Sequence, residues 1–184
     1  MLELGATFSE DRRYRYTLRR VWNHSGRSIN WLMLNPSTAD EMRDDPTIRK
    51  CIGWSMNWGY SRLTILNIFA FRATDPGRLL FCSDPLGPEN NRTIREHLKS
   101  AEVTVCAWGK LNKKLEWRIP EICKILKPYS DDLLCLKTNN DGSPQHPLYI
   151  AMDTKPFKWE GYEKHAQPMA LPSILCSAVA SAGG

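Results

Sequence analysis

Residues 63–71 read LTILNIFAF. The run is apolar on both faces apart from Asn67 in its middle, which is the pattern of a strand buried between two layers of helices. A half-exposed antiparallel strand would alternate instead. Upstream, Asp45 before Pro46 supplies an N-cap and a first-turn proline. Ile48, Cys51, Ile52 and Ser55 then recur on one face up to Gly59, predicting a helix. Further upstream, Tyr14 to Trp22 alternates aromatic or apolar residues with basic ones, Asn23-His24-Ser25-Gly26 supplies turn chemistry, and Ile29 to Leu34 is apolar again. That order predicts an N-terminal hairpin leading into a buried strand, stopped at Asn35-Pro36-Ser37 because proline cannot donate to a sheet ladder.

Downstream, Thr74-Asp75-Pro76 opens a loop, and Gly87-Pro88 starts a helix through His97 and Leu98. A third strand spans Val103 to Trp108 and ends at Gly109. A third helical stretch is broken or restarted at Pro120, and Leu133 to Lys137 makes a fourth strand before the turn Asn139-Asn140-Asp141-Gly142. The βαβαβ rhythm predicts a three-layer α/β fold, with a four-stranded parallel central sheet flanked by helices. Residues 1–184 read as one domain, with 151–184, carrying Pro156, Gly161, Pro168 and Pro172, as a surface-wrapping tail.

Composition sets the class. Hydrophobic residues are 42% and charged residues 24%, the balance of a globular protein and not of a disordered or membrane one. The N-terminus has no secretory h-region and the C-terminus is too weakly apolar to span a bilayer, so a cytoplasmic protein without membrane contact is expected. Six cysteines at irregular spacing, with no C-x-x-C, suggest neither a zinc site nor a disulfide framework. The formal charge of +5 allows a polyanionic partner, although many proteins with such an excess never meet nucleic acid. No obligate protein partner is evident.

Ligands of an open parallel sheet bind beyond the carboxyl ends of its strands, and those ends carry Asn35-Pro36-Ser37-Thr38, Arg72-Ala73-Thr74-Asp75, Gly109-Lys110 and, beyond the last strand, His146. Asn35 reads either as a turn or helix cap or as an amide offered to a water or substrate oxygen. Ser37 shares that ambiguity, and without G-x-S-x-G around it a nucleophilic role is disfavoured. Asn67, inside an apolar run, must be satisfied by a neighbouring loop, water or a ligand such as a base edge. His146, held between a Gly-Ser-Pro-Gln turn and Pro147, suits donation to a developing oxyanion. Asp40, Glu41, Asp44 and Asp45 form an acidic cluster for which solvated charge and a helix cap compete with metal binding or a general base. Arg43, Arg72 and Lys110 are either phosphate contacts or ordinary surface charges. Phe71 is either core or a stacking platform.

The strings LNPSTADEMRDDPTIRKCIGWSMNWGY, LNIFAFRATDP, GPENN, VCAWG and QHPLYI occur in that order over about residues 13 to 152. They resemble a family of bacterial and phage proteins catalogued as a domain of unknown function. That family in turn is similar to the uracil-DNA glycosylase superfamily. The resemblance implies that Asn35 and His146 are catalytic, positioning the hydrolytic water and stabilising the departing base. It also implies that Asn67 reads the base; Ser37 and Phe71 are further candidates for base contact. Arg43, Arg72 and Lys110 are the candidates for the DNA backbone, and Asp45 and Asp44 the candidates for a general base.

Two positions depart from the superfamily pattern. Met33 stands where a glycine is usual, and Leu148 where a serine often follows His-Pro. The iron-sulfur branch needs a C-x-x-C that is missing, so no cofactor or metal is expected. The implied activity is a monofunctional DNA glycosylase that flips out a modified base, with glucosylated hydroxymethylcytosine as the candidate, in anti-phage defence. The alternatives are a non-catalytic DNA-binding module of the same fold and an enzyme acting on a free nucleotide.

Overall fold

The computed structural model describes residues 3–37 and 42–165. Its strands are β1 (Glu3–Phe8), β2 (Arg15–Val21), β3 (Ser28–Met33), β4 (Arg62–Asn67), β5 (Val103–Cys106), β6 (Leu133–Cys135) and β7 (Phe157–Lys158). Its helices are α1 (Pro46–Asn57), α2 (Asn90–Ser100), α3 (Arg118–Leu126) and α4 (Gly161–His165). Among the described residues the strands form one seven-stranded sheet in the order β1-β2-β4-β3-β5-β6-β7.

The α/β class expected from the sequence is present, but the sheet is mixed and not the expected arrangement of four parallel strands. β4, β3, β5 and β6 run parallel, while β1 and β2 at one edge and β7 at the other run antiparallel. The hairpin also differs from the expected one. β2 pairs with β1 and with β4, and β4 separates it from β3. Turn chemistry at Asn23 to Gly26 marks a reversal but cannot say which strand fills the neighbouring lane, because that choice is made by burial across the whole sheet.

The elements are shorter than the apolar runs. Past Asn67 the chain leaves the ladder, and Ile68 and Phe69 stay buried by donating to the Met33 and Leu34 carbonyls. Pro120 does not break α3, because it falls in the first turn, where its missing N–H has no partner to lose. Residues 151–165 contribute β7, α4 and the fully buried Trp159, whose Nε1 donates to the Gly142 carbonyl at 3.2 Å. The remainder of the expected tail, 166–184, lies outside the described residues.

Apolar clusters cover both faces of the sheet. On one, Leu32, Leu66 and Cys106 meet Ile94 and Leu98 of α2, Ile122 and Leu126 of α3, and Trp159. On the other, Ile29, Trp31, Met33, Leu63 and Ile65 meet Ile48, Cys51 and Trp54 of α1. Trp31 stacks on both Trp54 and Trp58, with ring centroids 5.8 Å from each and those two 6.5 Å from one another, and its indole N–H donates to Ser55 Oγ at 3.0 Å. Burial of α1 by these tryptophans sets its N-terminus at the carboxyl end of β3. No helix among the described residues is long and apolar enough to cross a membrane.

Candidate functional site

A pocket of about 210 Å³ opens where β3 and β4 end, on the α1 side of the sheet. Asn35, Ser37, Asp45, Asn67 and His146 line it, so five of the residues singled out from the sequence converge on one cavity. Arg15, Thr47 and Thr74 line it as well.

Asn35 follows β3 directly. Its Nδ2 donates to the Ala73 carbonyl at 2.8 Å and to the Pro36 carbonyl at 3.1 Å. Carbonyls only accept, so the NH2 must face them, and the amide is fixed with Oδ1 as its remaining function. Ala73 N–H donates back to the Pro36 carbonyl, which locks the two loops together. Asn35 is thus a rigid acceptor at the rim.

Asn67 ends β4, opposite Met33 of β3, and is 1% exposed. Its backbone carbonyl accepts from Asn90 Nδ2 at 3.0 Å, but its own Nδ2 has no hydrogen-bond partner among the described residues. A buried amide N–H left unmade costs about 1–3 kcal/mol, a cost that a ligand in the pocket would relieve.

His146 reaches the pocket from the loop that follows β6. The turn after β6 is closed by the Asn139 N–H to Ser143 carbonyl bond, and Gly109 N–H donates to the Pro144 carbonyl. Gly109, three residues past the end of β5, has φ +78°, and a Cβ there would stand 3.2 Å from that of His146, so the glycine serves both the turn and the close approach. Lys50 of α1 donates to the carbonyls of Leu148 and Ile150, clamping the Pro147–Tyr149 turn onto the helix.

His146 Nδ1 accepts from the Leu148 N–H at 3.3 Å, so the neutral ring carries its proton on Nε2. Burial pushes its pKa below the ordinary 6.5, with the Asp45 carboxylate opposing. The stability this cap contributes is therefore complete above 6.5 and is lost as pH falls through that value toward the lowered folded one. A proton titration of the His146 ring by NMR should show a midpoint below 6.5; a midpoint above it would mean that the Asp45 field outweighs burial.

Asp45 caps α1. Its Oδ1 accepts from the Ile48 N–H at 2.8 Å and its Oδ2 from Ser37 Oγ at 2.9 Å. With both oxygens engaged, the carboxylate joins the Asn35-Pro36-Ser37 loop to the helix. Asp45→Ala should lower unfolding free energy by about 1–2 kcal/mol in urea titration, the usual cost of a lost cap. A change within about 0.3 kcal/mol would show that the bond to Ile48 contributes little.

The other candidates stand outside the lining. Asp44 is the counterion of the fully buried Arg20, with Oδ1 2.9 Å from Nε and 2.8 Å from Nη2. Phe71 packs edge-on against Tyr14, and Arg72 donates to the Arg12 carbonyl and lies over the Phe8 ring. Arg43 is exposed, as is Lys110 beside Gly109. Asp40 and Glu41 lie outside the described residues. Among the described residues no three His, Cys, Asp or Glu side chains come together as a metal site.

No curated protein and no solved structure matches the chain. A family model described as a protein of unknown function (DUF1643) matches residues 15–148, from the first residue of β2 to two residues past His146. Every described residue lining the pocket falls within that span, and the chain belongs to the DUF1643 family.

Proposed function

We propose that the protein is a monofunctional DNA glycosylase, acting in the cytoplasm on a flipped, modified base of phage DNA. The observation that carries this reading is the convergence of Asn35 Oδ1, the unpartnered Asn67 amide and His146 in one pocket. These are an acceptor for water, a donor for a base edge and a donor for a departing base.

In the proposed reaction a water held by Asn35 Oδ1 attacks C1′ of the flipped nucleotide. The C–O bond forms as the C1′–N bond breaks. The electron pair of that bond leaves with the base, which the His146 Nε2–H meets, and the water's proton passes to solvent. Preorganised donors aimed at developing charge are the largest catalytic contribution such a site can make, and none of these steps needs a cofactor. Tyr149, 92% exposed and three residues after His146, is an aromatic side chain able to fill the gap left in the base stack. The resemblance of Asn35-Pro36, Leu66-Asn67 and His146-Pro147, read from the sequence, to motifs of the uracil-DNA glycosylase superfamily supports the same reading, as does the positive net charge.

The test incubates the protein with phage DNA carrying glucosylated hydroxymethylcytosine, with unmodified DNA and with a uracil-containing duplex, and assays abasic sites by alkaline cleavage. Abasic product from the wild type that is lost in Asn35→Ala establishes excision and identifies the base. Tight DNA binding with no abasic product on any of the three would instead favour a non-catalytic DNA-binding module.

A further inference from the structure

β2 sends its arginines to different pockets. Thr7 pairs with Thr17 but Phe8 pairs with Arg15, so Tyr16 is bulged out of the ladder, and Arg15 lines the pocket of Asn35 and Asn67. Past the bulge the pairing is regular. Arg19 stands opposite Thr64 of β4, Thr64 opposite Asn30 of β3, and Arg62 opposite Ser28. Residues opposite one another share a face, as do residues two apart along a strand, so these five side chains lie on the face of Leu32 and Leu66 that α2 covers. A second pocket, of about 180 Å³, opens there at the amino ends of β3 and β4, and the last turn of α2 adds His97 and Ser100 to it. It occupies the opposite face of the sheet, and the opposite ends of the strands, from the first.

No carboxylate lines this second pocket. The acids beside its lining residues are already matched, Glu102 by Arg27 at 2.7 Å and Glu96 by Arg92 at 3.2 Å. Arg19 has no ion-pair or hydrogen-bond partner for its guanidinium among the described residues, and Arg62 spends only Nη1, on the His24 carbonyl at 3.1 Å. Two cations at diagonal positions of a strand pair thus face one cavity without a counterion. Burial, then the Arg19 charge, hold the His97 pKa below the ordinary 6.5 against Glu96, so at neutral pH the ring is uncharged and has one N–H to give. The carboxyl end of a helix ordinarily repels anions, but here the His97 carbonyl is covered by Asn30 Nδ2, the Ala101 N–H and the Ser100 hydroxyl.

We infer that this second pocket binds a phosphoryl group, held by the Arg19 and Arg62 guanidiniums with the His97 ring and the Thr64 hydroxyl. A phosphate carries about −1.5 to −2 charges at neutral pH, which matches two guanidiniums, whereas a carboxylate would leave one of them unmatched. Its oxygens also need polar contacts on several sides, and β2, β4 and α2 each supply one. Ser28 and Ser100 turn their hydroxyl protons to the Ser100 and His97 carbonyls, so toward a ligand they are acceptors, suited to hydroxyl groups carried by a phosphate ester. The site is separate from the excision chemistry proposed above and does not depend on it.

The test titrates inorganic phosphate, ribose 5-phosphate, ribose and acetate into the full-length protein by calorimetry at constant ionic strength. Both phosphates should bind at least about tenfold tighter than acetate or ribose, because charge-assisted hydrogen bonds to two arginines are available only to the dianion. Binding should also shift the His97 ring signals in NMR spectra. Arg19→Gln should weaken phosphate binding about tenfold, and Arg19→Lys should keep part of the affinity. Because Arg19 has no partner to lose, both variants should melt like the wild type. Ribose 5-phosphate binding tighter than inorganic phosphate would identify an ester as the ligand, and equal affinities would identify free phosphate.

Wild-type protein that binds neither phosphate, or binds acetate as tightly, would overturn the inference. So would undiminished phosphate affinity in folded Arg19→Gln, which would place any bound phosphate elsewhere on the protein.

Discussion

Asn35→Ala is expected to lower kcat for base excision by about 10²–10³-fold, the range associated with losing one preorganised hydrogen-bonding group at the reacting centre. DNA affinity should change little, because Asn35 spends its two donors on Pro36 and Ala73 and offers the pocket only Oδ1. The separation matters. A residue that holds water acts in the transition state, so its loss lowers kcat and kcat/KM together, whereas lost substrate binding raises KM. Single-turnover abasic-site assays at saturating protein read the first quantity, and fluorescence anisotropy on the same duplex reads the affinity. Asn35→Asp is the sharper companion, since a carboxylate cannot donate to the Ala73 and Pro36 carbonyls and would turn away from them. Residual activity within about tenfold of wild type in Asn35→Ala would remove Asn35 from the water-positioning role.

Trp31→Ala should destabilise the fold by about 3–5 kcal/mol, the usual cost of emptying a buried tryptophan site. Trp31 is fully buried at the centre of β3, stacked on Trp54 and Trp58, and its indole N–H is held by Ser55 Oγ. Ser55 keeps its own bond to the Cys51 carbonyl, so the loss comes mainly from the cavity and the broken stack. Against a typical domain stability of about 5–15 kcal/mol this is a large fraction. It should appear as a drop in the urea midpoint with little change in slope. A shift under about 1 kcal/mol would mean that α1 closes onto the sheet and refills the space. Because α1 also carries Asp45 and Lys50, the variant should loosen the pocket as well as the core.

Much of the fold was legible because its signals are local. The apolar run 63–71, the Asp45-Pro46 start of α1 and the Gly109 terminator each follow from backbone chemistry within a few residues. Strand order was not legible in the same way. The reversal at Asn23 to Gly26 suggested β3 as the partner of β2, and only packing of the whole sheet puts β4 between them. β7 has two residues in a proline-rich stretch without periodicity, so it carries no pattern that sequence spacing could register.

The candidate site divides along the same line. Asn35, Asn67 and His146 stand at strand ends or beside a proline, positions that the sequence itself makes conspicuous, and Asp45 announces its cap through Pro46. By itself, therefore, the sequence determined the α/β class, α1, the parallel core strands and the loops that face the pocket. Tertiary structure alone decided which polar groups meet there. Asp44 is drawn away to neutralise the buried Arg20, and the Tyr16 bulge swings Arg15 inward. The reason is physical: a side chain's type and period are set by its neighbours in the chain. Its partners, by contrast, depend on long-range register and on the need to satisfy charge in the interior.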